Sequence, residues 1–244
     1  MYIRFGRRLI ISILSNEPDA AIREPTVERI REYQACIMEK HPSLIGVWAT
    51  MDGLKLLLEQ TSDCVIQNRF YNGWTHDHYV SSVIVFCPDG TIPICAYNLP
   101  GCIHDSLIAE VGGVYGKLKS VFERSSGKCT VDSAFNCSRY GQFLIKSAQI
   151  DPLTNDVNDI VVNCEATSHR QSAEWGMRAL QALFPRLKDR FVYEENGEKK
   201  LMMKMIYLLY NFCTRCVGIN QILNTYMPHL KRDANKEYIG PLLE

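Results

Sequence analysis

The chain has 244 residues, of which 46% are hydrophobic and 22% are charged, so it has the composition of an ordinary globular protein with a sizeable core. Neither internal repeats nor low-complexity segments occur, which excludes the repeat and low-complexity classes. Lysine plus arginine and aspartate plus glutamate each total 27, so the net charge neither indicates nor excludes a nucleic-acid partner.

The cysteines and the apolar segments predict a reducing environment and no secretion. Most of the ten cysteines stand singly in apolar runs, as small buried hydrophobic residues do. Cys213 and Cys216 have the spacing of half a redox or metal site but lack a second pair, so we expect a structural role. The apolar run 9–14 is too short for a signal peptide, and the run 201–213, interrupted by Lys204, predicts a core helix rather than a membrane span.

The first half of the chain predicts a helix followed by three strands. Residues 26–39 place apolar side chains at helical spacing between charged ones, which indicates an amphipathic helix. The apolar run 44–59 predicts a buried strand that is interrupted by a turn or bulge at Asp52 and Gly53. The sequence Pro-Asp-Gly at 88–90 joins two β-rich runs and predicts a hairpin.

The second half predicts one strand among helices, which makes the chain a mixed α/β domain. We expect, in chain order, a helix over 106–118, a strand ending at Asp132, a helix over 138–147 and an inserted loop over 151–163. A helix over 168–184 follows, and its start is marked by a capping-box pattern at Ser168 and Gln171. One or two further helices extend through Tyr226.

Four acidic residues fall at the joints between these elements. Asp52 ends the first strand, Asp105 opens the helix after the hairpin, Asp132 ends the next strand, and Glu174 lies in the first turns of the capped helix. Ligand sites of α/β sheets gather at such strand ends and helix starts. Converging carboxylates require a cation, and Mg²⁺ and Mn²⁺ prefer oxygen ligands. Two such ions roughly 3.5–4 Å apart support attack on a phosphodiester.

Each acid also has a purely structural explanation. Asp52 would occupy a turn, whereas Asp105 and Asp132 would cap helices. Glu174 would be favoured near a helix start because a carboxylate there interacts well with the helix dipole. The residue types and their spacing therefore leave the metal site and the structural explanation open.

Five segments of the chain match, in order, the motifs of one known family. They are TMDG around Asp52, FYNGWTHDHYVSSVIVFCPDGTI, PGCIHDS around Asp105, TVDSAF around Asp132 and QSAEWGMRALQALFPRLK around Glu174. Through these five segments the chain resembles the DDE-type endonuclease domain of Harbinger-class transposases. The resemblance covers roughly residues 47–226, and the combination is far more specific than any single motif.

The resemblance implies an α/β, ribonuclease H-like mixed sheet flanked by helices, with extra helices at the C-terminal end. It implies that Asp52, Asp105 and Glu174 are the catalytic residues and bind two Mg²⁺ or Mn²⁺ ions. Asp132 matches the strand-end aspartate of the family, either as a further metal ligand or as a structural neighbour. A DNA substrate and a nuclear location follow from the same resemblance, whereas the short apolar runs predict no membrane association.

The resemblance also divides the chain and shows where it departs from the family. We expect a helical lead-in over 1–43, the endonuclease domain over 44–230 and a tail over 231–244. Transposases of this class carry a helix-turn-helix region for DNA recognition, and the lead-in predicts only one clear amphipathic helix. The first motif reads MDGLKL, where the family more often has a polar residue after the glycine.

Two functions remain open from the sequence. The first is a metal-dependent DNA endonuclease or transposase catalytic domain, which the intact acidic set favours. The second is a catalytically inactive, domesticated derivative that binds DNA or a partner protein, which the short lead-in favours. In either case a separate DNA-binding protein would supply target recognition, and the chain is a candidate homo-oligomer.

Several further side chains are candidates for a supporting role. Arg170 and Arg178 lie four residues before and after Glu174, so they would either contact a phosphate backbone or form salt bridges on the helix. His104 precedes Asp105 and is expected to help position the site or to contact substrate.

Two histidines and two tryptophans of the motifs have competing interpretations. His76 and His78 would share one face of a strand, where hydrogen bonding within the sheet is favoured over a zinc site. Trp74 and Trp175 are expected to be core residues rather than surfaces on which bases stack.

Overall fold

The computed structural model describes residues 2–135, 138–147, 156–191, 196–218 and 220–230. Within these residues the strands are β1 (Val47–Leu57), β2 (Tyr71–Asn72), β3 (Asp77–Phe86), β4 (Ile94–Pro100), β5 (Lys128–Val131) and β6 (Leu144–Lys146). The helices are α1 (Tyr2–Asn16), α2 (Val27–Lys40), α3 (Cys64–Phe70), α4 (Asp105–Val111), α5 (Val114–Ser125), α6 (Val157–Leu183), α7 (Asn196–Val217) and α8 (Gln221–Tyr226), and a 3-10 turn spans Pro185–Lys188.

The strands form one mixed sheet with β1 at its centre. β1 pairs antiparallel with β3 on one side and parallel with β5 on the other. β4 and β2 pair antiparallel with β3, and β6 continues the sheet parallel to β5. The spatial order β4-β3-β1-β5-β6, with helices packed against it, is a ribonuclease H-like fold and confirms the predicted fold class.

The central strand runs without interruption through the first acid. Asp52 and Gly53 both keep their backbone partners on β3, so the expected turn at this point is wrong. The irregularity of β1 lies between Val47 and Ala49, in its pairing with β5. Asp52 therefore projects from the middle of a central strand rather than from its end.

The hairpin between β3 and β4 forms as predicted and is fastened to the lead-in. Cys87 N donates to Thr91 O, and Gly90 adopts the left-handed conformation with φ +81° that the turn requires. The carboxylate of Asp89 accepts hydrogen bonds from the Thr91 hydroxyl and from Tyr33 of α2. The hairpin tip is thereby linked to a helix more than fifty residues earlier in the chain.

The helix expected over 106–118 is broken into α4 and α5. Gly112 leaves no space for a side chain, because a Cβ there would overlap the Ala96 side chain of β4. Gly113 has φ +72° and is the N-cap of α5. This break leaves Asp105 on a short, separate helix.

The segment expected to be a helix over 138–147 instead contains turns and β6. Leu144 pairs with Cys129 of β5, and Leu144 is buried by this pairing. The exposed backbone edge of β5 is satisfied by a neighbouring strand, which outweighs the local helical preference.

Helix α6 begins well before the expected capping box. It starts at Val157, so the loop predicted over 151–163 is wrong for residues 157–163, which are helical. Residues 151–155 lie outside the described residues. Ser168 therefore lies inside the helix and does not cap it. A Cβ on Gly176 would lie 2.6 Å from the Phe86 ring, so this glycine permits α6 to pack closely on β3.

Helices α1 and α7 pack together through a small second cluster. Ile11 and Leu14 of α1 contact Leu208 of α7, which confirms that the run 201–213 is a packed helix. No helix in the part of the chain that the structure describes is long and apolar enough to cross a membrane.

Candidate active site

Asp52 occupies a half-buried position in the middle of β1. Its Oδ1 accepts a hydrogen bond from Gly53 N at 2.7 Å. Burial is the main reason why the pKa of Asp52 is raised to about 6. The Gly53 hydrogen bond and Arg170 lower this pKa, whereas the negative charges of Asp132 and Asp105 raise it.

Asp105 is the first residue of α4, directly after the N-cap residue His104. Its carboxylate lies against Gly53, where a Cβ would be 2.6 Å from Asp105 Oδ2. Asp105 Oδ1 is buried and has no hydrogen-bond partner among the described residues. Burial raises the pKa of Asp105, Lys55 and His104 lower it, and Asp132 raises it. Asp105 is thus a helix-start residue whose carboxylate does not cap the helix.

Asp132 follows β5 beside the central strand. Met51 and Val131 are register partners in the parallel β1–β5 pair. Asp52 directly follows Met51, and Asp132 directly follows Val131, so the two aspartates have equivalent positions on neighbouring strands. Asp132 Oδ1 accepts a hydrogen bond from Ser133 N at 2.7 Å, and no helix begins at this point. Burial is the main cause of the raised pKa values of Asp52 and Asp105, and the negative charge of Asp132 adds to it in both cases.

Glu174 is linked to Asp52 by a shared arginine. Arg170 Nη1 lies 3.4 Å from Asp52 Oδ2, and Arg170 Nη2 lies 3.5 Å from Glu174 Oε1. Arg178 Nη2 lies 3.9 Å from Glu174 Oε2, but its side chain is 74% exposed. Glu174 stands in the middle of α6 rather than in its first turns, because α6 starts seventeen residues earlier at Val157.

The comparisons with known proteins bear on this arrangement of acids. The sequence model of a family described as DDE superfamily endonuclease matches residues 51–211, which is more than half of the chain. The chain belongs to the DDE superfamily endonucleases. The matched region begins directly before Asp52 and includes Asp105, Asp132 and Glu174. Comparison with curated proteins and with solved structures gave no match.

DDE superfamily endonucleases generally use divalent metal ions, and the acids of this site differ in how well they fit a cation. Asp52 and Asp105 fit in their chemistry, because both are partly buried carboxylates with a raised pKa, and one carboxylate oxygen of Asp105 lacks a partner among the described residues. Glu174 is held by Arg170 and Arg178 instead. Within the described residues no group of three or more His, Cys, Asp or Glu side chains forms a ready metal site.

A cleft of about 470 Å³ adjoins Asp105 in this endonuclease domain. Its lining consists of Lys55, Asn72, Gly73, Trp74, Cys102, Ile103 and His104. Trp74 is 91% exposed, so the expectation that it is a core residue is wrong. Sequence reasoning did not single out Lys55, although its position three residues after Asp52 was a usable signal.

The two histidines of the same region do not share a strand face. His76 lies before β3 in the left-handed conformation, with φ +55°, and its Nδ1 lies 3.2 Å from Tyr71 Oη. His78 lies within β3 and is buried. The alternation that suggested a shared face is therefore broken by the turn before β3.

Proposed function

We propose that this domain is a divalent-metal-dependent DNA endonuclease derived from a transposase. In the proposal, Asp52, Asp105 and Glu174 bind two Mg²⁺ or Mn²⁺ ions, and Asp132 is either a further ligand or an electrostatic neighbour. The observation that carries the proposal is the contact of the Asp105 carboxylate with Gly53, next to Asp52, with a buried Asp105 oxygen that lacks a hydrogen-bond donor among the described residues. A bound cation compensates such a pair of half-buried negative charges.

The chemistry assigned to the bound ions is activation of the attacking water and stabilisation of the leaving oxygen of the phosphodiester. The residues of the chain position this chemistry. Gly53 N holds Asp52 Oδ1 in a fixed orientation, and the missing side chain of Gly53 leaves the space that the Asp105 carboxylate occupies. No side chain needs to form a covalent bond to the substrate.

Arg170 compensates the acidic cluster by contacting Asp52 and Glu174 at the same time. In the proposal, Arg170 turns from these carboxylates toward the substrate phosphate when cations occupy the site. Arg178 is 74% exposed and has only a long contact to Glu174, so it is available to a phosphate backbone. His104 borders both Asp105 and the adjoining cleft and is assigned to substrate positioning.

The alternative is a catalytically inactive derivative that binds DNA or a partner protein. The observation that favours it is that Glu174 is paired with arginines, while the described residues contain no ready metal site. In both cases we propose membership of the Harbinger class, a DNA partner, a nuclear location, target recognition by a separate DNA-binding protein, and assembly into a homo-oligomer.

The decisive experiment is a titration of the purified chain with Mn²⁺ or Mg²⁺, with nicking of supercoiled DNA measured in parallel. Wild type is compared with Asp105→Asn and Glu174→Gln. Matched controls are Asp159→Asn and Glu165→Gln, which make the same chemical changes at two positions of α6 outside the proposed site. Loss of nicking in both site variants but in neither control supports the endonuclease. Absence of both metal binding and nicking in wild type favours the inactive derivative.

A further inference from the structure

We propose that Trp74 is a platform on which an unpaired DNA base stacks, while Lys55 contacts the adjacent phosphate. This inference rests on the proposed function, because it identifies the substrate at the acidic site as DNA with at least one unpaired base. The binding surface is the cleft lined by Lys55, Trp74 and His104 beside Asp105, referred to below as the Trp74 cleft.

The exposure of Trp74 is the first observation. At 91% it is the most exposed of the large hydrophobic side chains among the described residues. An indole ring presents a wide apolar face, and its exposure to water is unfavourable unless a ligand covers it. Trp48, by contrast, is fully buried and belongs to the core.

The second observation is that the backbone holding this side chain is anchored. Asn72 Oδ1 accepts hydrogen bonds from Trp74 N at 3.0 Å and from Thr75 N at 3.2 Å. Asn72 Nδ2 donates to Gly101 O at 2.9 Å, which connects the turn to the loop that leads to Asp105. The indole is therefore attached to an ordered turn at a fixed place beside the acid, and a ligand that stacks on it pays little to order the backbone.

The charges of the cleft select the kind of ligand. Lys55 is exposed and lines the same cleft as Trp74. His104, the residue directly before Asp105, lines this cleft as well. An aromatic face beside a cation is the combination with which proteins bind single-stranded nucleic acid, because the cation attracts the phosphate and the ring stacks on the base.

The base must be unpaired, because the faces of a base within a duplex are covered by its stacked neighbours. A double-stranded ligand would reach Lys55 with its phosphates but would leave Trp74 exposed. The proposal therefore predicts a preference for single-stranded DNA, or for DNA with an unpaired base next to the cut, over a fully paired duplex. This preference depends on the aromatic ring at position 74.

The test measures binding of a fluorescently labelled single-stranded oligonucleotide and of its duplex without divalent metal, so no cleavage occurs. The variants are Trp74→Ala and Trp74→Phe, with Val65→Ala as a control because Val65 is also exposed, at 67%. Stacking on an aromatic side chain contributes about 1–3 kcal/mol per base, so Trp74→Ala should weaken single-strand binding by about tenfold. Trp74→Phe should retain most of the affinity, and duplex binding should change little.

The intrinsic fluorescence of the indole provides a second readout. Single-stranded DNA should quench wild-type tryptophan fluorescence, and the quenching should disappear in Trp74→Phe, although Trp48 and Trp175 remain. The proposal would be overturned if Trp74→Ala bound single-stranded DNA with wild-type affinity and Trp74→Phe showed the same quenching as wild type. Concentration-dependent burial of Trp74 without DNA would also overturn it, because a second copy of the chain would then be the occupant.

Cysteine alkylation locates the ligand in the wild-type chain without a substitution. Cys102 lines the Trp74 cleft and is exposed, and Cys64 at the start of α3 is exposed as well. Single-stranded DNA should slow the reaction of Cys102 with iodoacetamide several-fold and leave Cys64 unchanged. Equal protection or no protection of the two thiols contradicts binding in the cleft.

The outcomes separate this inference from the proposed function. Wild type that nicks DNA, with Trp74→Ala binding single strands normally, retains the endonuclease and removes the stacking platform. Wild type that neither binds Mn²⁺ nor nicks, but shows quenching that depends on Trp74, removes the endonuclease and retains the single-strand-binding cleft.

Discussion

The carboxylate of Asp105 rests against the α-carbon of Gly53, so the space that a side chain would fill on β1 is taken by an acid from α4. The same glycine donates its backbone N–H to Asp52. One residue without a side chain therefore contacts both aspartates, Asp52 through its N–H group and Asp105 through the space that it leaves open.

Gly53→Ala should weaken binding of Mn²⁺ while the fold is retained. The new methyl group displaces the Asp105 carboxylate, and changes that disturb the orientation of a metal ligand typically reduce metal affinity about 10–100-fold. The displaced atoms belong to a short side chain near its end, so the free energy of unfolding should stay within about 1 kcal/mol of wild type. Isothermal titration calorimetry and denaturant unfolding check the two quantities.

The control for this substitution is Gly6→Ala in α1, where a Cβ meets no other atom within 4 Å. It should leave metal binding unchanged. Wild-type Mn²⁺ affinity in Gly53→Ala would contradict the assignment of Asp105 as a ligand.

Arg170→Gln should destabilise the metal-free protein and strengthen Mg²⁺ binding. Arg170 pairs with Asp52 and Glu174, and hydrogen bonds to charged groups contribute about 1.5–3 kcal/mol. The same guanidinium competes with a cation for the carboxylates, so its removal should raise Mg²⁺ affinity by about tenfold. Thermal unfolding with and without Mg²⁺ measures both effects.

Arg178→Gln is the matched control for Arg170→Gln, since it removes an equal charge from the same helix. Arg178 is 74% exposed and lies 3.9 Å from Glu174, so its loss should change stability by less than about 1 kcal/mol. Equal changes in stability and in Mg²⁺ affinity in the two variants would contradict a specific effect of the contacts from Arg170 to Asp52 and Glu174.

The buried imidazole of His169 should make the fold less stable in acid. The pKa of His169 is lowered to about 3, mainly by burial and to a smaller extent by the charge of the nearby His41. His169 Nδ1 lies 2.7 Å from Thr130 Oγ1, and the neighbouring His41 contacts the hydroxyl of Tyr226. Because the unfolded chain takes up a proton near pH 6.5 and the folded chain does not, stability falls as the pH decreases from about 6.5 toward about 3.

Denaturant unfolding of wild type and His169→Gln between pH 7.5 and 5 tests this dependence. Glutamine retains a hydrogen-bonding partner for Thr130 but does not titrate, so the variant should lose less stability over this interval than wild type. His76→Gln, on the loop before β3, should keep the wild-type slope. Parallel curves for wild type and His169→Gln would contradict the role of this histidine.

Gly176→Ala should destabilise the domain although alanine is the better helix former. A Cβ at this position would lie 2.6 Å from the Phe86 ring, and overpacking of a core costs about 1–3 kcal/mol. Gly116→Ala in α5 meets no neighbour within 4 Å and should stabilise by up to about 1 kcal/mol. Combining Gly176→Ala with Phe86→Leu should recover part of the loss, and additive effects of the two changes would argue against their direct contact.

Elements with strong local signals could be predicted from the sequence. Helix α2 was predicted from its apolar spacing, and its start is stabilised by Thr26, whose hydroxyl accepts a hydrogen bond from Arg29 N. The β3–β4 hairpin was predicted from Pro-Asp-Gly, and Gly90 adopts the conformation that the turn requires. In both cases the residues that determine the structure are adjacent in the chain.

Elements that depend on distant contacts were predicted wrongly. β6 is a strand because β5 offers it a backbone edge, and nothing local at 138–147 reveals that edge. The pattern at Ser168 is only a potential cap, since the preceding residues continue the helix. The break at Gly112 reflects the contact with Ala96 on β4.

The candidate site followed the same division. The acids were proposed from local motifs and stay a prediction, whereas the bridge from Arg170 to Asp52 depends on how α6 docks on β1. The exposure of Trp74 also escaped prediction, because tryptophan is usually buried and only the anchored turn at Asn72 reverses this preference.

The central position of β1 has a consequence for the growing polypeptide during translation. Asp52 and Asp105 are complete once α4 has left the ribosome, but Arg170 belongs to α6 and is synthesised about sixty residues later, a delay of several seconds at typical elongation rates. For that interval the nascent chain contains the two repelling carboxylates without the guanidinium that balances them. The acidic centre therefore reaches its lowest energy only when α6 joins the sheet.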